Sequence, residues 1–485
     1  MAITYTIAGA TYTWAATSGS ADWAAPASWS PSRTTPAIND ALRFNQGGSS
    51  TATNVLTETV GKLQVSNGTA INLTPGSLAN TLTISETTPD ALTVAAGSQL
   101  NITGAAHSTN LTVHVAAGAK GSISGAMSLF DNLASPSVFA LSASDAGGIT
   151  FHSGASFTQN CGGNVFGSGT ANSVVFGSGS TFVQQVGNNP FQKSQPASVV
   201  VFEPGSLFSV QGNFQPSASG RTYADLEIEF ASFSQTLSGS ALLTVSNLSV
   251  VQGALSVSMT GGFNLDGNAT VAAGAVLRLN NGVTTAGGTT WTIDGTLGGT
   301  GAIGGAALVT ISDAGTLAPG LASPSIGTLT LATAPVLSGT NLMEIDRNGG
   351  APLADQLVVS SGTLSYGGVL VVTNVGAALQ AGDTFTLFSA PAHSGNFASI
   401  VGSPGAGLTY SFTNGVLSVL GSAPVSVPLN ISVSGGNAIL SWNDPTSLFK
   451  LASGSNLTGI TNVVSTLSPY TNSISGQQYF RLVYP

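Results

Sequence analysis

Gly295 to Thr330 reads GTLGGTGAIGGAALVTISDAGTLAPGLASPSIGTLT, a stretch of glycine, threonine and small apolar residues with almost no charge. Glycine adopts positive φ more easily than any other residue, so it suits the positions at which the backbone turns. The threonine, valine, isoleucine and leucine between the turns suit short pleated strands. Repeated short strands and turns predict an all-β protein built as a parallel β-solenoid, or β-helix.

The same stretch resembles the passenger-type repeat associated with bacterial autotransporters, in which a GTLxGTGTIGG segment precedes a GTLAPGxSxGTLT segment. The spacer before Gly327 is longer here than in that pattern, which should alter one turn and not the fold. The resemblance implies a secreted scaffold and no particular activity. The residues that fit are Gly295, Thr296, Leu297, Gly299, Thr300, Gly301, Ile303, Gly304, Gly305, Gly315, Thr316, Leu317, Ala318, Pro319 and Gly320.

The composition is poor in charge. Only 6% of the 485 residues are charged and 62 are glycine, whereas an ordinary globular domain carries about 25% charged residues. Solubility must therefore come from exposed Thr, Ser, Asn and backbone amides, a surface that packs readily against copies of itself. The net charge of -9 comes from scattered acids and bases. We therefore expect nucleic acid and anionic membranes to be poor partners, because both require clustered Lys and Arg.

The single cysteine, Cys161, excludes an intramolecular disulfide. A lone thiol is expected to be a small buried residue, with an intermolecular bridge as the alternative. The chain shows neither a leader pattern nor about 18 consecutive apolar residues, so no membrane insertion is expected. We expect an extracellular or cell-surface protein in its mature form, or one in which Met1 replaces a removed leader.

The first residues alternate between apolar and small or polar. Ile3, Tyr5 and Ile7 share one face, and Tyr12 and Trp14 resume the alternation after Gly9. This pattern predicts two short strands, and we assign these five residues to a subunit interface in which they complete the sheet of the next copy.

The segment that follows, SADWAAPASWSPSRTTPAINDALRF, places Trp23 and Trp29 among prolines. It resembles the opening of many secreted repeat proteins of environmental Gram-negative bacteria. We interpret it as a cap folded over the first rung, with sugar stacking by the two tryptophans as the alternative.

A degenerate unit recurs from about Val65, with copies such as VSNGTAI, VAAGSQL, FHSGASF and VFEPGSLF. Its turn glycines are 21 to 36 residues apart, a period that fits one rung of a β-helix. A rung cannot bury its apolar face alone, so rungs must stack and the stack must be capped or continued by another molecule. These glycines are Gly68, Gly97, Gly118, Gly154, Gly179 and Gly205.

Nine phenylalanines recur between Leu141 and Tyr223, in a segment that resembles a further region of the same secreted proteins. We predict that they stack in the solenoid core, with a ligand platform as the alternative. They are Phe151, Phe157, Phe166, Phe176, Phe182, Phe191, Phe202, Phe208 and Phe214.

Four regions follow from these patterns. They are an N-terminal strand and cap (1–48), β-solenoid repeats (49–335), final rungs (336–422) and a C-terminal module (423–485), with the linker GSAPVSVPLN at the last boundary. The C-terminal module resembles a small Ig-like β-sandwich that ends many secreted proteins of such bacteria. Leu440, Ser441 and Trp442 match it, as do residues 479–482, but its second tryptophan is missing. Sorting, cell attachment and capping remain open as its role.

The acidic residues provide two weak cation candidates. Asp225, Glu227 and Glu229 alternate with apolar residues and so share one strand face, where carboxylates could hold Ca²⁺. A solvated strand face is the favoured interpretation. The pair Asp346 and Asp355 flanks a glycine-rich turn and is treated in the same way.

Other chemical signatures are weak. His107, His114, His152 and His393 lack zinc-ligand spacing. Gly299, Gly301 and Gly304 satisfy GxGxxG, but no helix pattern follows, so no nucleotide site is expected. We expect no cofactor and no catalytic residues.

Three functions remain open. The first is a non-enzymatic structural subunit of a self-assembling surface filament or matrix, joined head to tail by strand complementation or rung stacking, with copies of itself as partner. The second is an adhesin or carbohydrate-binding protein, with extracellular polysaccharide as partner. The third is a polysaccharide-active enzyme, whose candidate residues would be Asp225, Glu227 and Glu229.

Overall fold

The computed structural model describes residues 9–76, 79–104, 109–131, 138–187, 189–320, 324–347, 352–421, 427–445 and 447–484. Within these ranges the chain is all-β, with no α-helix and one short 3-10 turn at Pro26–Ser28. The chain divides into two compact units. The first comprises Met1–Leu379, Asp383–Pro404 and Tyr410–Val419, and the second Gln380–Gly382, Gly405–Thr409 and Leu420–Pro485.

Long parallel sheets make up the first unit. In sheet 1, each strand pairs in parallel with the next turn of the chain, except that Trp29–Ser30 pairs antiparallel with Thr11–Trp14. Its parallel strands are Thr11–Trp14, Ala41–Phe44, Lys62–Val65, Leu92–Val94, Gly121–Ile123, Ile149–Phe151, Val174–Phe176 and Val200–Phe202.

Sheet 2 is longer and continues in parallel through most of the unit. Its strands are Ser18–Asp22, Ser49–Val55, Ala70–Pro75, Gln99–Thr103, Ala126–Phe130, Ser156–Asn160, Thr181–Gln184, Leu207–Val210, Arg221–Ile228, Leu243–Val250, Phe263–Leu265, Ala269–Val271, Thr284–Thr285, Thr290–Ile293, Leu308–Ile311, Val336–Leu337, Thr363–Tyr366 and Ala392–Gly395.

Three further parallel sheets complete this arrangement. Sheet 3 contains Glu58–Val60, Ala79–Ile84, Asn110–Val115 and Phe139–Ala143. Sheet 4 contains Ser234–Gly239, Ala254–Met259, Val276–Leu279, Thr296–Gly299, Thr316–Pro319, Thr340–Asp346, Val369–Asn374 and Ser399–Val401, with Leu353–Ala354 antiparallel to Thr340–Asp346. Sheet 5 contains Ala302–Ile303, Thr328–Thr333, Gln356–Ser361 and Phe388–Ser389.

The remaining strands are antiparallel. Sheet 6 contains Thr384–Thr386, Val416–Gly421 and Leu408–Thr413. Sheet 7 contains Asn430–Ser434, Asn437–Ser441 and Tyr470–Ser473, and sheet 8 contains Asn462–Ser465, Lys450–Gly454 and Tyr479–Val483. In the second unit, Ala438, Leu440, Trp442 and Leu451 form a buried cluster against which Tyr470, Phe480 and Leu482 pack.

The alternation of the sequence explains these strands. In Gln99–Thr103, for example, Leu100 and Ile102 are buried, while Asn101 is only partly covered. The turn glycines have the positive φ that the sequence predicts. Their φ angles lie between 68° and 83° at Gly68, Gly97, Gly118, Gly154, Gly179 and Gly205. The prediction of an all-β protein with parallel strands is confirmed.

Phenylalanines fill the core between residues 149 and 228. Phe151, Phe176 and Phe202 pair in register, and the Phe151 and Phe176 rings stack with centroids 4.5 Å apart and an interplanar angle of 1°. Phe157 and Phe182 form a second such column. The predicted core stacking is confirmed for eight of the nine phenylalanines, which are buried, whereas Phe214 is partly exposed.

Candidate functional site

The N-terminal end of sheet 1 carries a cage of tryptophans. Trp14, Trp23 and Trp29 are 1%, 2% and 3% exposed. The Trp29 ring meets those of Trp14 and Trp23 edge-on at 5.0 Å and 5.1 Å, and it lies 5.6 Å from the ring of Phe44. The strand Trp29–Ser30 closes the outer edge of Thr11–Trp14. The segment therefore covers its end of the apolar core.

A buried ion-pair network fixes this cage. Arg33 donates from Nε to Asp40 Oδ2 at 2.9 Å and from Nη2 to Glu58 Oε2 at 2.9 Å, with a second bond from Nη1 to Glu58 Oε1 at 3.2 Å. Trp23 Nε1 also donates to Glu58 Oε1. The two carboxylates raise the pKa of Arg33, although burial acts in the opposite direction and is the largest influence. Paired in this way, the guanidinium can remain charged inside the protein.

The burial of the cage bears on two of the predicted roles. Because Trp23 and Trp29 present almost no ring surface to solvent, neither offers a platform for stacking a sugar. The side chain of Trp14 is likewise enclosed by its own chain, and Tyr12 lies in a strand that is paired on both sides. Ile3, Tyr5 and Ile7 lie outside the described residues.

Several strands leave one edge unpaired within the described part of the first unit. In sheet 2, Ser18–Asp22 pairs only with Ser49–Val55, and Ala392–Gly395 pairs only with Thr363–Tyr366. In sheet 4, Ser399–Val401 pairs only with Val369–Asn374, and Val401 is largely exposed. Such edges present free N–H and C=O groups to which another strand can add.

The predicted acidic row is a ladder of separate hydrogen bonds. Asp225 Oδ1 accepts from Asn247 Nδ2 at 2.7 Å, Glu227 Oε1 from Ser209 Oγ at 2.9 Å, and Glu229 Oε2 from Gln211 Nε2 at 2.9 Å. Each carboxylate is thus held by a neutral side chain of a neighbouring turn. Among the residues that the structure describes, no group of three or more acidic, histidine or cysteine side chains is placed to hold a metal ion.

The histidines and the cysteine show no catalytic arrangement. His114 lies between Ser142 Oγ and Ser144 Oγ, each 3.0 Å from a ring nitrogen, and burial lowers its pKa. His152 and His393 each contact one hydroxyl, of Ser122 and Tyr366 respectively. His107 lies outside the described residues. Cys161 is buried, and burial raises the pKa of its thiol to about 12, so the reactive thiolate is suppressed.

The second acidic pair consists of Asp355 and Glu344, and not of Asp355 and Asp346 as the sequence suggested. Asp355 is buried, but the carboxyl group beside it is that of Glu344, while Asp346 Oδ1 lies against Gly376. Asp355 and Glu344 line a cavity of about 210 Å³ next to the motif residues Thr316 to Gly320. Neither this pair nor the Arg33 network was found from the sequence. Within each, the partners come from separate strands or turns, so only the strand register brings them together.

Comparison with known proteins adds no assignment, because no protein-family model and no curated protein matches the chain. Within the described ranges there is no helix long and apolar enough to cross a membrane.

Proposed function

We propose that this chain is a non-enzymatic extracellular structural protein, a β-solenoid subunit that joins copies of itself end to end in a filament or matrix. The observation that carries the proposal is the continuous parallel pairing of sheet 2 from Ser18 to Gly395, which ends in unpaired strand edges. The low charge of the chain also favours it, since little electrostatic repulsion opposes association of copies.

The joining segment in this proposal is the stretch before Thr11. Thr11–Trp14 already has Ala41–Phe44 on one side and Trp29–Ser30 on the other, so its own edges are used within the chain. The alternating residues Ile3, Tyr5 and Ile7 remain as the strand to be donated. Main-chain hydrogen bonds to a free edge such as Ser399–Val401 of the next copy would join subunits without charged contacts. A heterologous contact of this kind gives open fibres.

The C-terminal unit is proposed to be a small β-sandwich that is separate from the assembly contact. Sheets 7 and 8 each have three antiparallel strands, and the apolar cluster around Trp442 and Leu451 contains residues of both. The sequence resemblance of residues 295–330 to the autotransporter-associated repeat, together with the resemblances of the N-terminal and C-terminal segments, supports a secreted protein of that type.

Electron microscopy of the purified full chain at neutral pH, beside a variant lacking residues 2–8, tests this function. We expect regular filaments from the full chain and single particles from the truncated one, with an unchanged circular dichroism spectrum and melting temperature. The deletion stops short of Thr11, because loss of Trp14 would open the buried cage and confound folding with assembly.

A second pair of variants addresses the acceptor edge. Val401→Lys places a charge on the last strand of sheet 4, and Leu353→Lys places one on an equally exposed apolar residue away from that edge. Only the first should shorten or abolish filaments. Single particles from every sample, including the unmodified chain, would contradict the proposal and favour the adhesin function, to be pursued with a glycan-binding screen.

A further inference from the structure

Two buried carboxyl groups meet where sheets 4 and 5 come together. They line the cavity described above together with Arg278, Thr296, Thr316 and Ser325. Glu344 is only 6% exposed and Asp355 only 1%. Burial of two acids this close together is costly unless one is neutralised or both are satisfied by hydrogen bonds.

Both carboxyl groups accept hydrogen bonds from the main chain. Asp355 accepts from Gly327 N through Oδ1 and from Glu344 N through Oδ2, both at 2.8 Å. Glu344 Oε2 accepts from Ser325 N at 2.7 Å. In addition, Gln356 N donates to Gly327 O at 2.8 Å. Asp355 thus connects the strand Thr340–Asp346 of sheet 4 to the beginnings of two strands of sheet 5.

No positively charged side chain of the described residues forms an ion pair with the Asp355 carboxylate. Glu344 is an acid, and the one basic residue that lines the cavity, Arg278, forms no ion pair with either acid within the described residues. Burial raises the pKa of Asp355 to about 7 and the nearby charge of Glu344 adds to the rise, whereas the hydrogen bonds from Glu344 N and Gly327 N oppose it. Asp346, on the same strand as Glu344, lies beside Gly376, and Arg347, which follows that strand, pairs with Asp383.

We propose that Asp355 and Glu344 form a proton-dependent junction between sheets 4 and 5, which is tight when the pair holds a proton and loosens when both carboxyl groups are ionised. The device is separate from the assembly contact proposed above. It would make this segment of the chain responsive to the acidity of its surroundings.

Proton linkage determines how the stability of the junction changes with pH. The pKa of Asp355 in the folded junction, about 7, lies above the ordinary value of an aspartate, so the closed junction binds the proton more tightly than the open one. The stabilisation is complete below the ordinary pKa, about 4, and is lost as the pH rises to the folded value. Between those limits the opening constant should increase by up to about tenfold per pH unit, and above about pH 7 it should level off.

Hydrogen exchange of the full chain, followed by mass spectrometry from pH 4.5 to 8.5 and corrected for the intrinsic exchange rate, tests this junction. Peptides covering 324–333 and 340–346 should lose protection steadily up to about pH 7 and then remain constant. Peptides from the phenylalanine core, such as 174–182, should show no such trend. Protection at the junction that is independent of pH would overturn the proposal.

Three variants separate the proton effect from simple loss of structure. Asp355→Asn should abolish the pH dependence, whatever its overall stability. Glu344→Gln keeps an oxygen for Ser325 N but removes the neighbouring charge, so the pH at which protection levels off should fall. Asp313→Asn, which changes an exposed turn acid, should behave as the unmodified chain. An unaltered pH profile in both junction variants would overturn the assignment to this pair.

Discussion

Two regions of the first unit build the same parallel pairing with different interiors. Between residues 149 and 228 the paired core residues include columns of aromatic rings, and the partners Phe151, Phe176 and Phe202 are 25 and 26 residues apart along the chain. Later, the partners Leu277 and Leu297 are aliphatic and 20 residues apart. In these two stretches the longer turn carries the larger paired side chains, whereas the 29-residue turn that pairs Leu63 with Leu92 is also filled by aliphatic residues.

The longer turns of the aromatic region carry additional residues in the connections between strands. They contribute Phe166 and Phe191, which lie outside the strands and are fully buried. The ring of Phe166 is 5.0 Å from that of Phe157, and Phe191 is 5.2 Å from Tyr223. A longer turn encloses more interior, and aromatic rings fill it at the close packing that protein cores require. The shorter turns are filled mainly by leucine, valine and isoleucine, with single rings at Phe263 and Trp291.

Removing a ring from the middle of the aromatic column is expected to have the largest effect. Phe176→Ala deletes contacts with both Phe151 and Phe202 and should cost about 3–5 kcal/mol, because the surrounding core relaxes only partly around the cavity that is left. The measurement is hydrogen exchange of the flanking strands, since a stack of repeats need not unfold as one unit. Val175→Ala, at the partly exposed neighbour, is the control and should cost well under half as much. Equal losses would show that the column does not determine stability here.

The converse change tests the short turns. Leu277→Phe introduces a ring beside Leu255 and Leu297, where paired residues are only 20 to 22 apart. The overpacked core should lose about 1–3 kcal/mol. Thermal unfolding followed by circular dichroism would show a lower melting temperature, and Leu277→Met, which nearly conserves volume, serves as the control. A stability equal to that of the unmodified chain would mean that turn length does not limit core size.

Parts of both regions were predictable from the sequence, because the turn glycines and the apolar alternation are visible within a few consecutive residues. The turn glycine of each unit and the alternation around it, as in VFGSGSTF, specify a turn and two buried phenylalanines without knowledge of any other turn. The acids could not be placed in this way. Spacing alone pairs Asp355 with Asp346, whereas Glu344 is the neighbour because the strand Thr340–Asp346 turns that side chain toward the cavity.

The partners of Arg33 could not be predicted from the sequence either. Arg33 and Glu58 are 25 residues apart, and the loop and strand that carry them meet only in the folded chain. Only 10 of the 485 residues are basic, so the sequence could have suggested that a buried Arg or Lys pairs with an acidic residue. It could not have identified the partner, because the partner depends on how the segment that contains Trp23, Trp29 and Arg33 folds against the first turns.

The smallest expected effect concerns the outer face of the strand Thr290–Ile293, which belongs to the short-turn region. Thr292 is exposed and lies beside Thr270 and Thr310 of the neighbouring turns. Thr292→Val keeps the β-branched shape that suits a strand, so the melting temperature should correspond to a change within about 0.5 kcal/mol. Trp291→Ala, one residue away on the inner face, should cost several times more. Because a shift of one residue would exchange these two faces, a large loss at Thr292 with a small one at Trp291 would place the strand in the other register.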